Sequence, residues 1–365
     1  AQFAMSATNS ATIYHRRPAM LGMFRPTLIA ALLASGPLLL LAYLALGAVA
    51  LPIGELLSVI KHALLGDLDS ARELFPRTSA ILLHIRLPRA LAGLLAGSSL
   101  AIAGAAMQGL FRNPLASPDI LGISAGSSLG AVLAITTGTA LLHPLVLPAY
   151  AIVGALISAA LIYALALRSE AGQQLLFIIL AGLALSSLLT GATSAALLLA
   201  EQYEISQFIF WTMGGLEGRM WPHVLWPAPF LILFGSLLIR LAKALDLISL
   251  GEENAHGMGL DVEQTRRRTL ILCSVVTALA IAIAGPIGFI GLMVPHLVRL
   301  LFGPNHRLLL PLSAFIGAWL VLAADLIGRT LIAPHEIKVG IITAVLGGSY
   351  FIFLIVRLQR QGKLA

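Results

Sequence analysis

The residues that could do chemistry in this chain are few, and their spacing argues against catalysis. Nine histidines, His15, His62, His84, His143, His223, His256, His296, His306 and His335, fall in loops or near the ends of apolar runs. None is spaced from another as a metal pair on one helix face, so interfacial, hydrogen-bonded imidazoles are the simpler reading. A phosphate-cradling G-x-x-x-x-G-K-[ST] run is missing. The one Gly-Lys pair, Gly362-Lys363, lies at the tail, so the chain does not hydrolyse ATP itself. Cys273, the single cysteine, sits in an apolar run and reads as a small buried residue with no disulfide. One carboxylate lies well inside an apolar run: Asp325, one turn before Arg329. At i and i+4 the two can pair, which favours a structural or interfacial role over the proton relay that intramembrane acids often mark. The expectation is a non-enzymatic chain with no catalytic residue, no metal site and no bound cofactor.

The elements that carry these residues are membrane helices. Of 365 residues, 59% are hydrophobic and 11% charged, with a mean hydropathy of +0.95. Soluble domains average about 25% charged, so an all-α polytopic membrane protein is expected. Apolar runs predict ten spans near 27–49, 88–111, 118–139, 145–167, 175–199, 223–243, 269–290, 292–303, 309–333 and 338–356. The eighth is too short to cross as a straight helix. Pro286, Pro295 and Pro304, with Gly285, Gly288 and Gly291, predict broken helices around it. Gly93 and Gly97, and Gly122, Gly126 and Gly130, stand four apart, a spacing that lets helix backbones approach closely in lipid. The organisation is a tail over 1–26, in which Ala1–Ala4 ahead of Met5 read as an expression scar, one membrane domain over 27–357, and a tail over 358–365.

Charge sets the expected orientation. Of the 23 Lys and Arg, fourteen fall in loops on the side of the amino end and eight on the other, with Arg299 near the end of the short span. By the positive-inside bias both termini are cytoplasmic. The pI near 10.0 then reflects loops held against anionic lipid rather than nucleic acid. Arg86, Arg89 and Arg329 are exceptions, at the outer ends of spans where the bias disfavours them. On the inner side, the segment 245–266 is the richest in polar signals: Leu250-Gly251-Glu252-Glu253 through Ala255 to Gly259, then Asp261 into Arg266. It reads as two short helices around tight turns, either a docking knob for a soluble partner or an ordinary solvated connector; composition does not choose.

Arg86-Leu87-Pro88-Arg89, then Met107-Gln108, Asn113-Pro114-Leu115-Ala116, Pro118 and Leu121-Gly122-Ile123-Ser124-Ala125-Gly126, resemble the second and third spans of the iron-siderophore, heme and cobalamin ABC importer permeases. Leu250-Gly251-Glu252 to Gly259 is similar to that family's coupling loop. Gly288-Phe289-Ile290-Gly291-Leu292 with Pro295-His296 and Arg299 is its most specific signature, and Ala324-Asp325 with Arg329 and Trp211 with Gly214-Gly215 match too. The resemblance runs from about 27 to 357.

It implies a type II importer permease of the bacterial inner membrane, working as a homodimer with two ATPase subunits that use ATP and Mg, and with a periplasmic binding protein. On this resemblance Arg86, Arg89 and Arg329 dock the binding protein, and Leu250, Gly251, Glu252, Glu253, Ala255 and Gly259 couple to the ATPase. Span five lines the pathway with a slick face of Gly182, Ser186, Ser187, Thr190, Thr193 and Ser194, although each hydroxyl could equally bond its own helix. Gln173 and Gln174 stand at the inner gate. Overall similarity favours heme as cargo, with ferric siderophore and cobalamin as alternatives. The alternative class is an ion-coupled secondary transporter or channel.

Overall fold

The computed structural model describes residues 25–47, 49–166 and 174–360. These are almost entirely helical: α1 Arg25–Ala45, α2 Ile53–Leu64, α3 Leu68–Leu74, α4 Pro76–Ile81, α5 Leu87–Leu110, α6 Ile123–Thr136, α7 Val146–Ala166, α8 Gln174–Leu198, α9 Gln202–Thr212, α10 Pro222–Leu225, α11 Ala228–Arg240, α12 Ala242–Ser249, α13 Glu252–Gly257, α14 Val262–Ala284, α15 Ile290–Phe302, α16 His306–Thr330 and α17 Val339–Arg360. Residues up to Leu39 form one unit, of which only the helix is described, and the chain from Leu40 forms the second.

Among the described residues eight helices are long and apolar enough to cross a membrane, and Ile123–Thr136 and Ile290–Phe302 are shorter apolar helices. Together they occupy the ten regions predicted. The differences lie at the edges. Residues 118–121 form a 3-10 turn rather than the start of a span. The seventh span begins at Val262, because Asp261 caps it by accepting from the Gln264 N–H at 2.8 Å and the helix carries Arg266, Arg267 and Arg268 out of its apolar part. The helices over 53–74 and 202–212 interrupt the spans without crossing, being short and mixed in polarity, whereas α4 runs on into α5.

Within the second unit α5 and α14 are central: 78% and 72% of their apolar windows are buried, against 17% for α8 and for α17. Small residues allow this. A Cβ on Gly97 of α5 would stand 2.3 Å from the Gly317 carbonyl of α16, and one on Gly104 would stand 1.8 Å from that of Gly291. Gly126 of α6 and Gly154 of α7 meet in the same way. Close backbone approach replaces the hydrophobic drive that lipid cannot supply. The broken spans are visible as backbone: Gly122, at φ 63°, starts α6, and Phe289, at φ 67°, starts α15. Helix alternation gives the unit two ends. One carries Arg86 and Arg329, and the other carries the turn from α12 to α14.

Candidate functional site

At the arginine end, a π-turn over Leu82–Arg86 runs into α5 and brings Arg86 and Arg89 beneath the surface. The structure draws Arg86, Arg89 and Arg329 into one cluster, but not as free guanidiniums: their exposures are 3%, 8% and 5%. Arg89 grips Asp325 with two bonds of 2.8 Å, from Nε and Nη2, and Nη2 also reaches Glu336 at 2.8 Å. The Tyr43 hydroxyl donates to the same Asp325 carboxylate at 2.6 Å. Arg86 donates to the carbonyls of Leu44 and Val49. Arg329 donates to the Tyr43 carbonyl and lies over the Tyr43 ring, 3.9 Å from its centroid.

One expectation is corrected here. Asp325 pairs with Arg89 rather than with Arg329, because Arg89 arrives from α5 with its fork matched to both carboxylate oxygens, while Arg329 finds an aromatic face. Arg86, Arg89 and Arg329 all bond within the chain, which offsets part of the cost of burying a guanidinium. Tyr43 and Glu336, which complete the cluster, had no sequence signal beyond one polar ring at the end of an apolar run and one acid in a short loop.

Beside this cluster a platform over residues 213–221 is tied to three neighbours. The Gly215 N–H donates to Ala284 O at 2.7 Å, the Gly340 N–H to Gly214 O at 3.1 Å, and Trp221 Nε1 to Leu83 O at 2.9 Å. Lys338 pairs with Glu217 and holds its carboxyl below the usual range.

At the opposite end, α12, α13 and the start of α14 form a compact double turn. Gly251, at φ 108°, makes the first bend, and Gly259, at φ 83°, the second. Arg266 of α14 reaches Glu252 at 2.7 Å and Glu263 at 2.8 Å. Asp246 of α12 accepts from the backbone N–H of His306 at 2.8 Å and meets its Nδ1 at 2.7 Å, fixing the turn to the start of α16. Ala255 is buried beneath the turn, whereas Leu250 and Met258 are each 57% exposed and Glu253 and Gly259 face outward. The geometry is a braced double turn with an apolar and acidic crest. His306 is the part the sequence reading did not assign to it.

The residues expected on one slick face of α8 divide between two. Gly182 is buried, its missing Cβ leaving room for the Ile120 carbonyl, Ser186 borders Gly122, and Thr193 is buried. Ser187, Thr190 and Ser194 are exposed on another face. The spacings 182, 186, 193 and 187, 190, 194 are each helical repeats, centred about 95° apart around the axis at 3.6 residues per turn. Ser187 donates to Leu183 O at 2.9 Å, Thr190 to Ser186 O at 2.8 Å and Thr193 to Leu189 O at 2.9 Å, so these hydroxyls are satisfied by their own helix. Of the gate pair, Gln173 lies outside the described residues, and Gln174 is described only as the first residue of α8. A cavity of about 120 Å³ lies between the 118–121 turn and the Gly288–Leu292 segment, lined by Asp119, Ser124, Thr277 and Phe289 among others. Among the described residues no group of three or more His, Cys, Asp or Glu could hold a metal ion.

This architecture has known counterparts. A hemin transport permease of Yersinia pestis is 41% identical over 77% of this chain and 84% of its own length. A cobalamin import permease of Halobacterium salinarum is 42% identical over 77% and 74%, and an iron(III) dicitrate transport permease of Escherichia coli is 39% identical over 82% and 91%. A solved structure described as an inward-facing metal-chelate type ABC transporter matches 91% of the chain and all of its own with a TM-score of 0.79 at 30% identity. Residues 32–357 match the FecCD transport family, and the chain belongs to that family.

Proposed function

We propose that the chain is the membrane-spanning permease subunit of a type II ABC importer for a bulky metal chelate, with ATP hydrolysis supplied by two copies of a partner subunit. The observation that carries this is the family match over 32–357, which contains both the braced double turn and the arginine end. A cavity of about 120 Å³ is smaller than one of about 150 Å³ that holds a benzene ring, so it is too small for a bulky chelate. The pathway therefore belongs between two copies of the chain, along the sparsely covered α8, whose exposed Ser187, Thr190 and Ser194 offer small groups without a strong ligand. A cargo that must leave as readily as it enters suits such a wall.

In this reading both termini are cytoplasmic, in a bacterial inner membrane, and the double turn receives the ATPase. Leu250, Glu253, Met258 and Gly259 form the contact crest, and Gly251 and Ala255 shape it. Movement of the crest passes to α14 through Glu252 and Arg266, and to α16 through Asp246 and His306. A periplasmic binding protein docks at the arginine end, where Arg86, Arg89 and Arg329 supply a positive field from below the surface that steers acidic patches. Gln173 and Gln174 stand at the inner gate. Heme is the favoured cargo on overall likeness, with ferric siderophore, ferric citrate and cobalamin as members of the same class. The test is copurification with a Walker-type ATPase, followed by uptake into proteoliposomes with each candidate chelate and its binding protein. ATP-independent uptake, or uptake driven by an ion gradient, would overturn the class.

A further inference from the structure

Every cation of the arginine cluster has a partner within the chain, and so does Lys338. Arg219, on the 213–221 platform at the same end, does not. Among the described residues it has no carboxylate within ion-pairing distance, and its Nε is enclosed without a hydrogen-bond partner. Its nearest acid in sequence, Glu217, is taken by Lys338. The titratable group on its other side is His223, which is no counter-ion. The residue is only partly covered, so the guanidinium has a way out to the surface next to the exposed Gly218 and Met220. The backbone beneath it is fixed: the Arg219 N–H donates to Leu216 O, and the platform is tied to α14, α17 and the turn before α5. Enclosure alone, with no compensating acid, pushes its guanidinium down to about 10.

An enclosed guanidinium without an anion is costly, and a rigid platform that keeps one is built to receive an anion from outside. The geometry points to Arg219 as a recognition site for a carboxylate arriving at this end of the bundle, borne either by the cargo or by the protein that carries it. The planar fork suits a carboxylate, which it can grip with two parallel bonds. The source of that carboxylate rests on the importer reading; the open guanidinium does not. Arg86, Arg89 and Arg329 then hold the end together and set its field, while Arg219 makes the contact.

Site-resolved labelling with phenylglyoxal separates these roles, because the reagent attacks neutral guanidine. The full-length chain is labelled in nanodiscs of zwitterionic lipid and the modified arginines are read by peptide mass spectrometry. Arg219 should react about tenfold faster than Arg89, being unpaired and shifted where Arg89 is bonded to two acids. Citrate should slow Arg219 severalfold while its trimethyl ester should not, which would assign the site to a cargo carboxylate. Protection by a soluble oligoglutamate peptide and not by citrate would assign it to the carrier. Labelling no faster than at Arg89, or protection by neither probe, overturns the proposal. Slow labelling that appears only in discs containing phosphatidylglycerol also overturns it, in favour of a lipid anchor. In the ATP-driven uptake assay, Arg219→Lys should keep more function than Arg219→Gln, with the loss in half-saturation rather than in maximal rate. Failure of ATPase copurification would reject the importer reading and leave the labelling result standing.

Discussion

At the arginine end, Arg89, Asp325 and Tyr43 are drawn beneath the surface with the half-buried Glu336 at their edge, and the charges are spent on one another. At the opposite end the double turn is braced from within by Asp246 and Arg266, yet Leu250, Glu253 and Met258 stand in the open. Both regions have sequence motifs rich in charge, and the difference lies in whether the charges meet. A buried, fully bonded network fixes one arrangement, because removing any member strands another in a low-dielectric setting. An exposed crest on a braced base offers contact area while passing force to the helices behind it. Charge count alone therefore does not locate a docking surface.

The comparison is broken most strongly at Asp325. Asp325→Ala leaves Arg89 and the Tyr43 hydroxyl without their shared partner, and the expected loss is about 3–5 kcal/mol. It would be measured as thermal unfolding of the purified chain in detergent. Replacing Arg89 and Asp325 together by Leu should return much of that loss, since two apolar groups strand nothing. A wild-type melting temperature in Asp325→Ala would mean that the network holds nothing.

At the other end the brace should matter less to stability. Asp246→Ala removes two hydrogen bonds from His306 and should lower stability by about 1–2 kcal/mol, while cutting stimulated ATP hydrolysis more than the stability loss explains. Glu252→Lys removes one of the two acids that satisfy the buried Arg266, which keeps Glu263, at a stability cost of about 2 kcal/mol. Its stimulated hydrolysis should fall severalfold and recover in part when Arg266→Glu is added. Equal losses of folding and coupling in these variants would erase the contrast between the two ends.

The smallest effect is a pH dependence at the 213–221 platform. Lys338 depresses the Glu217 carboxyl below its ordinary value near 4.5. Such a group contributes stability that is fully present above that value and is lost as pH falls through the lower, folded one. Glu217→Gln should therefore flatten the acid limb of a stability profile below about pH 4.5 and leave neutral pH almost unchanged. An unaltered acid limb would show that the pair contributes nothing.

What the sequence made legible follows from range. The ten apolar runs, the broken span near Phe289 and the small-residue contacts at Gly97 and Gly126 are local patterns, and each is where the spacing put it. The partner of Asp325 was not legible. Arg329 is four residues away, whereas Arg89 is 236 away and Tyr43 is 282 away, and only the fold decides between near and far. The two faces of α8 were within reach of the helical period, since 182, 186 and 193 repeat separately from 187, 190 and 194. Residue type alone merged them into one slick face. The helices over 53–81 went unread as elements because none is long enough to show a span and none has a motif.

The most direct measurement is stimulated ATP hydrolysis by the complex of this chain with its ATPase when Glu253 is changed to Lys. Glu253 is exposed on the crest and takes part in neither brace, so the variant should melt like wild type and keep its arginine end intact. The account predicts that stimulated hydrolysis falls about tenfold, because a contact charge has been reversed at the ATPase face. Wild-type stimulation with unchanged ATPase assembly would contradict it, and would return the double turn to an ordinary connector.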